Sequence, residues 1–115
     1  MNFILPVKRL RETQTLIAFN HPEPTYPVHI LLVPKRQIGT LLDLDKDDTV
    51  FLQDVISTAQ SLVTEFEIEK RGYRLILNGG DYQKVPYLHF HLVSEFEAGL
   101  PMESNTIIDE NHHKM

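Results

Sequence analysis

The chain has 115 residues, of which 42% are hydrophobic and 23% charged, a composition typical of one globular domain. Its formal net charge of −5 at pH 7 argues against binding to a nucleic-acid polymer, which requires a basic surface. The absence of cysteine excludes a disulfide scaffold, a thiolate metal site and a cysteine nucleophile.

The first half of the chain predicts two strands joined by a proline-rich loop. Residues 14–19 form a short run with β-propensity, and residues 28–33 form a second run that is apolar apart from His29. Three prolines between residues 21 and 27 exclude a helix there. Because the second run is apolar on both faces, we expect it in the centre of a sheet, followed by a helical turn around residues 38–42.

A long amphipathic helix is predicted in the middle of the chain. Its apolar stripe consists of Leu52, Val55, Ile56, Ala59, Leu62, Val63 and Phe66. Asp45 is the expected N-cap and Gly72 the expected C-terminal stop. A helix of this kind needs a sheet to cover its apolar face.

Two further strands are predicted after the helix, at residues 73–78 and 87–93. The elements together indicate an α+β fold, an antiparallel sheet of about five strands with one long amphipathic helix. We assign residues 1–95 to this domain and residues 96–115 to a C-terminal loop or tail.

Two histidines on the last predicted strand are the most informative feature of the sequence. Because strand side chains alternate, Leu88, Phe90 and Leu92 point towards the helix, while His89 and His91 point to the opposite face. His29 stands alone in its apolar strand, where a buried histidine needs a polar partner. If the two strands lie close together, the three histidines share one site.

Two chemistries use such a cluster, metal binding and nucleophilic attack at phosphorus. Residues 89–95 fit the His-x-His-x3-Glu core of the cupin metal motif. However, Gln83 and Met102 stand where that motif has glycines, and a long helix in mid-chain is foreign to a cupin barrel.

Residues 83–93, QKVPYLHFHLV, resemble the signature of the histidine triad (HIT) superfamily, in which a glutamine-containing loop leads into alternating histidines and apolar residues. The resemblance covers residues 14–94, because the two early strands and the strand ending in Asn78 also match in order and spacing. It implies a HIT-like fold. It also implies a nucleotide hydrolase or transferase that acts at the α-phosphate through a nucleotidyl-histidine intermediate.

The resemblance also implies roles for individual residues. His89 falls on the nucleophile, and His91 and His29 fall on positions that hold the phosphate oxygens. Asn78 and Gln83 match positions that line the phosphate site, although Asn78 also fits a simple turn residue and Gln83 a solvated loop side chain.

Three departures from the family pattern affect the candidate substrate contacts. Tyr87 replaces the first triad histidine, whose backbone carbonyl orients the nucleophile, so a carbonyl is retained. Lys84 replaces a serine that contacts the leaving group, and it either assists departure or faces solvent. His21 replaces an aspartate that binds ribose, so the resemblance does not identify what binds the nucleoside half of the substrate.

The leading hypothesis is a hydrolase acting on a purine nucleotide or nucleotide-like phosphate, with no cofactor and no metal. The alternatives are a catalytically weak nucleotide- or phosphate-binding relative and a cupin-like metalloprotein. We expect a cytoplasmic protein without a membrane partner, since no stretch approaches the roughly 20 apolar residues that span a bilayer. We also expect a homodimer through the long helix and an edge strand, with Val50, Phe51 and Ile68 as unclaimed apolar surface.

Overall fold

One antiparallel sheet, one α-helix and three short 3₁₀ turns form the part of the chain that the computed structural model describes, residues 8–99. The strands are β1 (Arg11–Glu12), β2 (Leu16–Asn20), β3 (Val28–Pro34), β4 (Arg74–Leu77) and β5 (Phe90–Ser94), and the helix is α1 (Thr49–Glu65). The strand order is β1-β2-β3-β5-β4, with β3 in the centre. The α+β prediction and the central position of β3 are confirmed, and an open sheet with a helix is not the barrel that the cupin alternative requires.

The hydrophobic core lies between α1 and one face of the sheet. Its largest fully buried side chains include Leu16, Ile30, Leu32, Val55, Leu62 and Leu92. Only part of the predicted helical stripe faces this core, because Val55 and Leu62 are buried whereas Ile56 is 51% exposed. Phe51 and Ile68, which the sequence suggested as unclaimed apolar surface, are buried in the core, so that part of the prediction is wrong.

The start of α1 lies one turn later than predicted. Asp45 caps a short 3₁₀ turn, Lys46–Asp48, by accepting a hydrogen bond of 2.8 Å from the backbone N–H of Asp47. Asp48 then occupies the N-cap position of α1. Its carboxylate accepts hydrogen bonds from Nε and Nη2 of Arg36 and makes no capping hydrogen bond to α1. The prediction of Asp45 as the helix N-cap is therefore wrong, because the extra turn absorbs the capping residue.

The end of α1 is set by Glu67 and Ile68. Glu67 adopts the left-handed conformation with φ of 56°, and the N–H of Ile68 donates to the carbonyl of Val63 at 3.2 Å, as in a Schellman motif. Ile68 is fully buried, so its side chain anchors the chain reversal in the core. The prediction that Gly72 stops the helix is wrong, although Gly72 does have φ of 136° in the following loop.

A second, smaller apolar cluster lies on the sheet face opposite α1. It consists of Ile17, Phe19 and Val33, with Leu31 packed against it. Leu31 is paired with His91 of β5, so this cluster borders the predicted histidine site.

The chain beyond β5 stays attached to the domain as far as it is described. The N–H of Gly99 donates to the carbonyl of Phe66 at 2.9 Å. The remainder of the predicted tail, residues 100–115, lies outside the described residues. No helix in residues 8–99 is long and apolar enough to cross a membrane.

Candidate active site

The register of β3 and β5 brings His29 and His91 together. His29 is opposite Val93 and His91 is opposite Leu31, so the two histidines are diagonal neighbours on the face opposite α1. Nε2 of His29 lies 3.0 Å from Nδ1 of His91. His29 is buried, and this contact with His91 is the kind of polar partner that its burial requires.

Backbone hydrogen bonding fixes the proton positions of this pair. The N–H of Thr25 donates to Nδ1 of His29 at 3.2 Å, so that nitrogen carries a lone pair. A neutral His29 therefore holds its proton on Nε2 and donates it to Nδ1 of His91. His91 in turn holds its own proton on Nε2, where it serves as a hydrogen-bond donor.

His89 has the opposite arrangement of proton and lone pair. It precedes β5, which begins at Phe90 rather than at the predicted residue 87. Its Nδ1 lies 2.7 Å from the carbonyl oxygen of Tyr87, and because a carbonyl only accepts, Nδ1 is the donor. Nε2 of a neutral His89 is thus unprotonated. The ring centroids of His89 and His91 lie 4.9 Å apart. An unprotonated ring nitrogen and an N–H donor are therefore present on two neighbouring imidazoles.

The environment keeps His29 and His91 uncharged. Burial, followed by the neighbouring His89, His29 and His21, lowers the pKa of His91 to about 4. Burial and then His21 also lower the pKa of His29. Both imidazoles are consequently neutral at pH 7, as the hydrogen-bonding pattern requires.

His21 and Tyr26, from the loop between β2 and β3, enclose His29. The ring centroid of His21 lies 4.4 Å from that of His29, and Tyr26 meets His29 edge-on at 5.4 Å. The backbone N–H of His21 donates to the carbonyl of His29, and Nδ1 of His21 accepts from the N–H of Glu23. The sequence analysis identified His21 but missed Thr25 and Tyr26. The only sequence signal for these two residues was their position in the proline-rich loop.

Asn78, Gln83 and Lys84 are further predicted substrate contacts, and each has a different position in the structure. The register of β4 and β5, continued by one residue beyond Leu77 and Phe90, puts the half-buried Asn78 opposite His89. The side-chain nitrogen of Gln83 donates to the backbone carbonyls of Gly39 and Val85, at 2.8 and 3.0 Å.

Gln83 thus joins two loops beside the site. Lys84 is exposed and donates to the carbonyl of Asp81 at 3.0 Å, which corresponds to the solvent-facing alternative for this residue.

A metal centre is not supported by the arrangement of these side chains. Within residues 8–99, no group of three or more His, Asp or Glu side chains is arranged to hold a metal ion. The Nδ1 atoms of His21, His29, His89 and His91 all take part in hydrogen bonds with protein atoms.

Comparison with known proteins gives a consistent family match. The sequence matches the family described as HIT domain over residues 4–98. It is 32% identical over 92 residues to an uncharacterized HIT-like protein of Buchnera aphidicola subsp. Baizongia pistaciae, covering 78% of this chain and 82% of that protein. An uncharacterized HIT-like protein of Chlamydia muridarum is 36% identical over 84 residues, covering 71% and 66%.

Solved structures agree with this match. The HIT family hydrolase from Legionella pneumophila Philadelphia 1 superimposes with a TM-score of 0.74 at 29% identity, covering 81% of this chain and 85% of that chain. The HIT family hydrolase from Clostridium thermocellum superimposes with a TM-score of 0.73 at 31% identity, covering 85% and 87%.

Proposed function

Because the chain belongs to the HIT domain family, whose similar solved structures include proteins named hydrolases, we propose that it is a nucleotide hydrolase or transferase acting at the α-phosphate. One observation carries the proposal. The bond from Nδ1 of His89 to the carbonyl of Tyr87 leaves Nε2 of His89 unprotonated, and the ring of His91, which carries an N–H on Nε2, lies 4.9 Å away between centroids. This arrangement suits attack on a phosphorus whose oxygens are held by a neighbouring imidazole.

The reaction proceeds in two displacements at the same phosphorus. Nε2 of His89 forms a bond to the α-phosphorus, and the bond to the leaving group breaks with its electron pair, after which the leaving group takes a proton from solvent. A water molecule then attacks the nucleotidyl-histidine and releases its proton. The P–N bond breaks, and its electrons return to Nε2 of His89. An acceptor other than water makes the same protein a transferase.

The other histidines hold the phosphate oxygens during both steps. His91 donates from Nε2 to a non-bridging oxygen, and His29 keeps His91 in the required tautomer through its own N–H. Asn78, opposite His89, supplies an amide donor next to the nucleophile. The substrate we propose is a purine nucleotide or nucleotide-like phosphate carrying an amine or phosphate leaving group.

Turnover of adenosine and guanosine 5′-phosphoramidates and dinucleoside polyphosphates tests the proposal. We expect wild-type protein to cleave at least one of them, and His89→Asn to lose about three orders of magnitude or more in kcat. Tyr87→His is the matched control, because it keeps the backbone carbonyl that orients His89. Nucleotide binding without turnover in wild-type protein would instead favour the catalytically weak binding relative.

We also propose a homodimer formed through α1 and β4. Strand β4 is at the edge of the described sheet, where unpaired backbone groups favour pairing with a second strand. Ile56, Tyr73 and Leu75, which are 51%, 50% and 36% exposed, line a groove of about 430 Å³ between helix and edge strand. A second copy placed about a twofold axis would cover this apolar groove and extend the sheet.

A further inference from the structure

Arg74 is a basic side chain on the same sheet face as the histidines. It is opposite Val93 in the register of β4 and β5, and Ile76 is opposite His91. Side chains of opposite residues share a face, so Arg74 is the diagonal neighbour of His91 on one side and of Glu95 on the other. Diagonal neighbours have side chains about 7–8 Å apart at their base, a distance that a long side chain can reach across.

In the present arrangement Arg74 is turned towards Glu95. Nη1 of Arg74 lies 3.8 Å from Oε2 of Glu95, and the two side chains are 64% and 66% exposed. This distance is longer than a hydrogen bond, and an exposed ion pair of this kind contributes little to stability. Arg74 can therefore leave Glu95 at small cost when a better anionic partner is present.

A cavity where β4 begins and β5 ends provides room for such a partner. It has a volume of about 270 Å³ and is lined by residues that include Arg74, Val93, Glu95 and Phe96. Val93, which lines the cavity, is paired with His29, so the cavity borders the strand that carries His91. The space suits a group of the size of a phosphate or carboxylate.

The histidine cluster itself provides hydrogen-bond donors but little positive charge, because His29 and His91 are neutral at pH 7. A guanidinium supplies both the charge and a planar pair of donors that match a phosphate or carboxylate. We propose that Arg74 and this cavity form a subsite for a second anionic group of the substrate, next to the reacting phosphate, and that Arg74 exchanges Glu95 for that group.

This inference rests on the proposed function and narrows its substrate class. The preferred substrates carry an anion on the part that leaves, either a further phosphate, as in a phosphoanhydride, or a carboxylate, as in an amino-acid phosphoramidate. Substrates with a neutral amine as leaving group gain nothing from Arg74.

Binding of inorganic pyrophosphate and inorganic phosphate, measured by calorimetry, tests the subsite without requiring turnover. We expect Arg74→Gln to weaken pyrophosphate binding about fivefold or more and phosphate binding less than about twofold. Glu95→Gln is expected to tighten pyrophosphate binding about twofold, since it removes the competing carboxylate. Lys46→Gln, which removes an exposed charge before α1, is the matched control and leaves both affinities unchanged. Unchanged pyrophosphate binding in Arg74→Gln, or equal weakening of both ligands, would overturn the subsite.

Turnover of three nucleotides that differ only in the leaving group identifies the anion. The leaving groups are a neutral amine, an amino acid with its carboxylate, and phosphate. A loss of kcat/KM in Arg74→Gln confined to the carboxylate or to the phosphate substrate names that group as the ligand, whereas an equal loss on all three contradicts the subsite. If wild-type protein cleaves none of them, the proposed function fails, and the pyrophosphate measurement still decides the subsite.

Discussion

His29 and His91 are joined by a contact of 3.0 Å between Nε2 and Nδ1, which connects β3 to β5 on the sheet face opposite α1. Because Thr25 fixes the lone pair of His29, the proton positions of both rings follow from one backbone amide. The N–H on Nε2 of His91, which we propose donates to a phosphate oxygen, is thus set by the fold before any substrate binds. In the proposed mechanism, β3 therefore contributes to the chemistry of the site as well as to the core.

Loss of His29 should reduce the rate more than it affects substrate binding. In His29→Leu, Nδ1 of His91 has no donor, so His91 samples the tautomer that cannot donate from Nε2. We expect kcat to fall about tenfold or more, with a smaller change in KM. Tyr26→Phe is the control, because it keeps the ring that meets His29 edge-on. Near wild-type kcat in His29→Leu, in a folded protein, would show that this contact does not serve catalysis.

Acid should destabilise the fold through the same histidines. The pKa of His91 is lowered to about 4 and that of His29 is also lowered, so between the ordinary histidine pKa near 6.5 and about pH 4 the unfolded chain binds more protons than the folded one. The free energy of unfolding therefore falls as pH decreases through this window. Urea denaturation at several pH values measures this slope, and His91→Asn should flatten it. A slope that the variant leaves unchanged would assign the acid sensitivity to other groups.

The dimer is tested by light scattering at micromolar concentration. We expect a mass twice that of the 13.3 kDa chain. Ile56→Lys should shift the protein to the monomer mass, since it places a charge in the apolar groove beside β4. Leu42→Lys is the control, as Leu42 is also exposed but does not line that groove. A wild-type mass near 13 kDa would refute the dimer.

The left-handed conformation of Glu67 predicts a stabilising substitution. A non-glycine residue in this conformation costs about 1–2 kcal/mol, part of which glycine regains at the expense of a more flexible unfolded chain. We expect Glu67→Gly to raise the free energy of unfolding by about 0.5–1 kcal/mol in urea titrations. Gly72→Ala should lower it, because Gly72 has φ of 136°. A destabilised Glu67→Gly would mean that the glutamate side chain outweighs the backbone strain.

The strands and the histidine face were predictable from the sequence because both depend on short-range patterns. Alternation along residues 88–92 placed His89 and His91 opposite the core, and the apolar character of residues 28–33 placed His29 in the centre of the sheet. The ends of α1 were not predictable in the same way. Asp45 and Asp48 are both suitable N-cap residues, and the contact of Asp48 with Arg36 accompanies the later start. Gly72 is a suitable residue to end the helix, but burial of Ile68 in the core ends it earlier.

The contacts of Thr25 and Tyr26 with His29, and the position of Arg74, could not be predicted from the sequence. Thr25 and Tyr26 approach His29 because the loop folds back over β3, and no periodic pattern encodes such a path. The position of Arg74 next to His91 likewise depends on the register of β4 against β5, which the sequence does not reveal. Both relationships are long-range or loop-dependent, and they become visible only in three dimensions.

In the mechanism that we propose, Nε2 of His89 becomes covalently nucleotidylated. Acid quenching of wild-type protein mixed with a nucleoside 5′-phosphoramidate, followed by peptide mass spectrometry, measures this directly. We expect a transient mass increase of one nucleoside monophosphate on the peptide containing His89, and none in His89→Asn. Turnover of the substrate by His89→Asn at the wild-type rate, or a nucleotidyl group found on another residue, would contradict it.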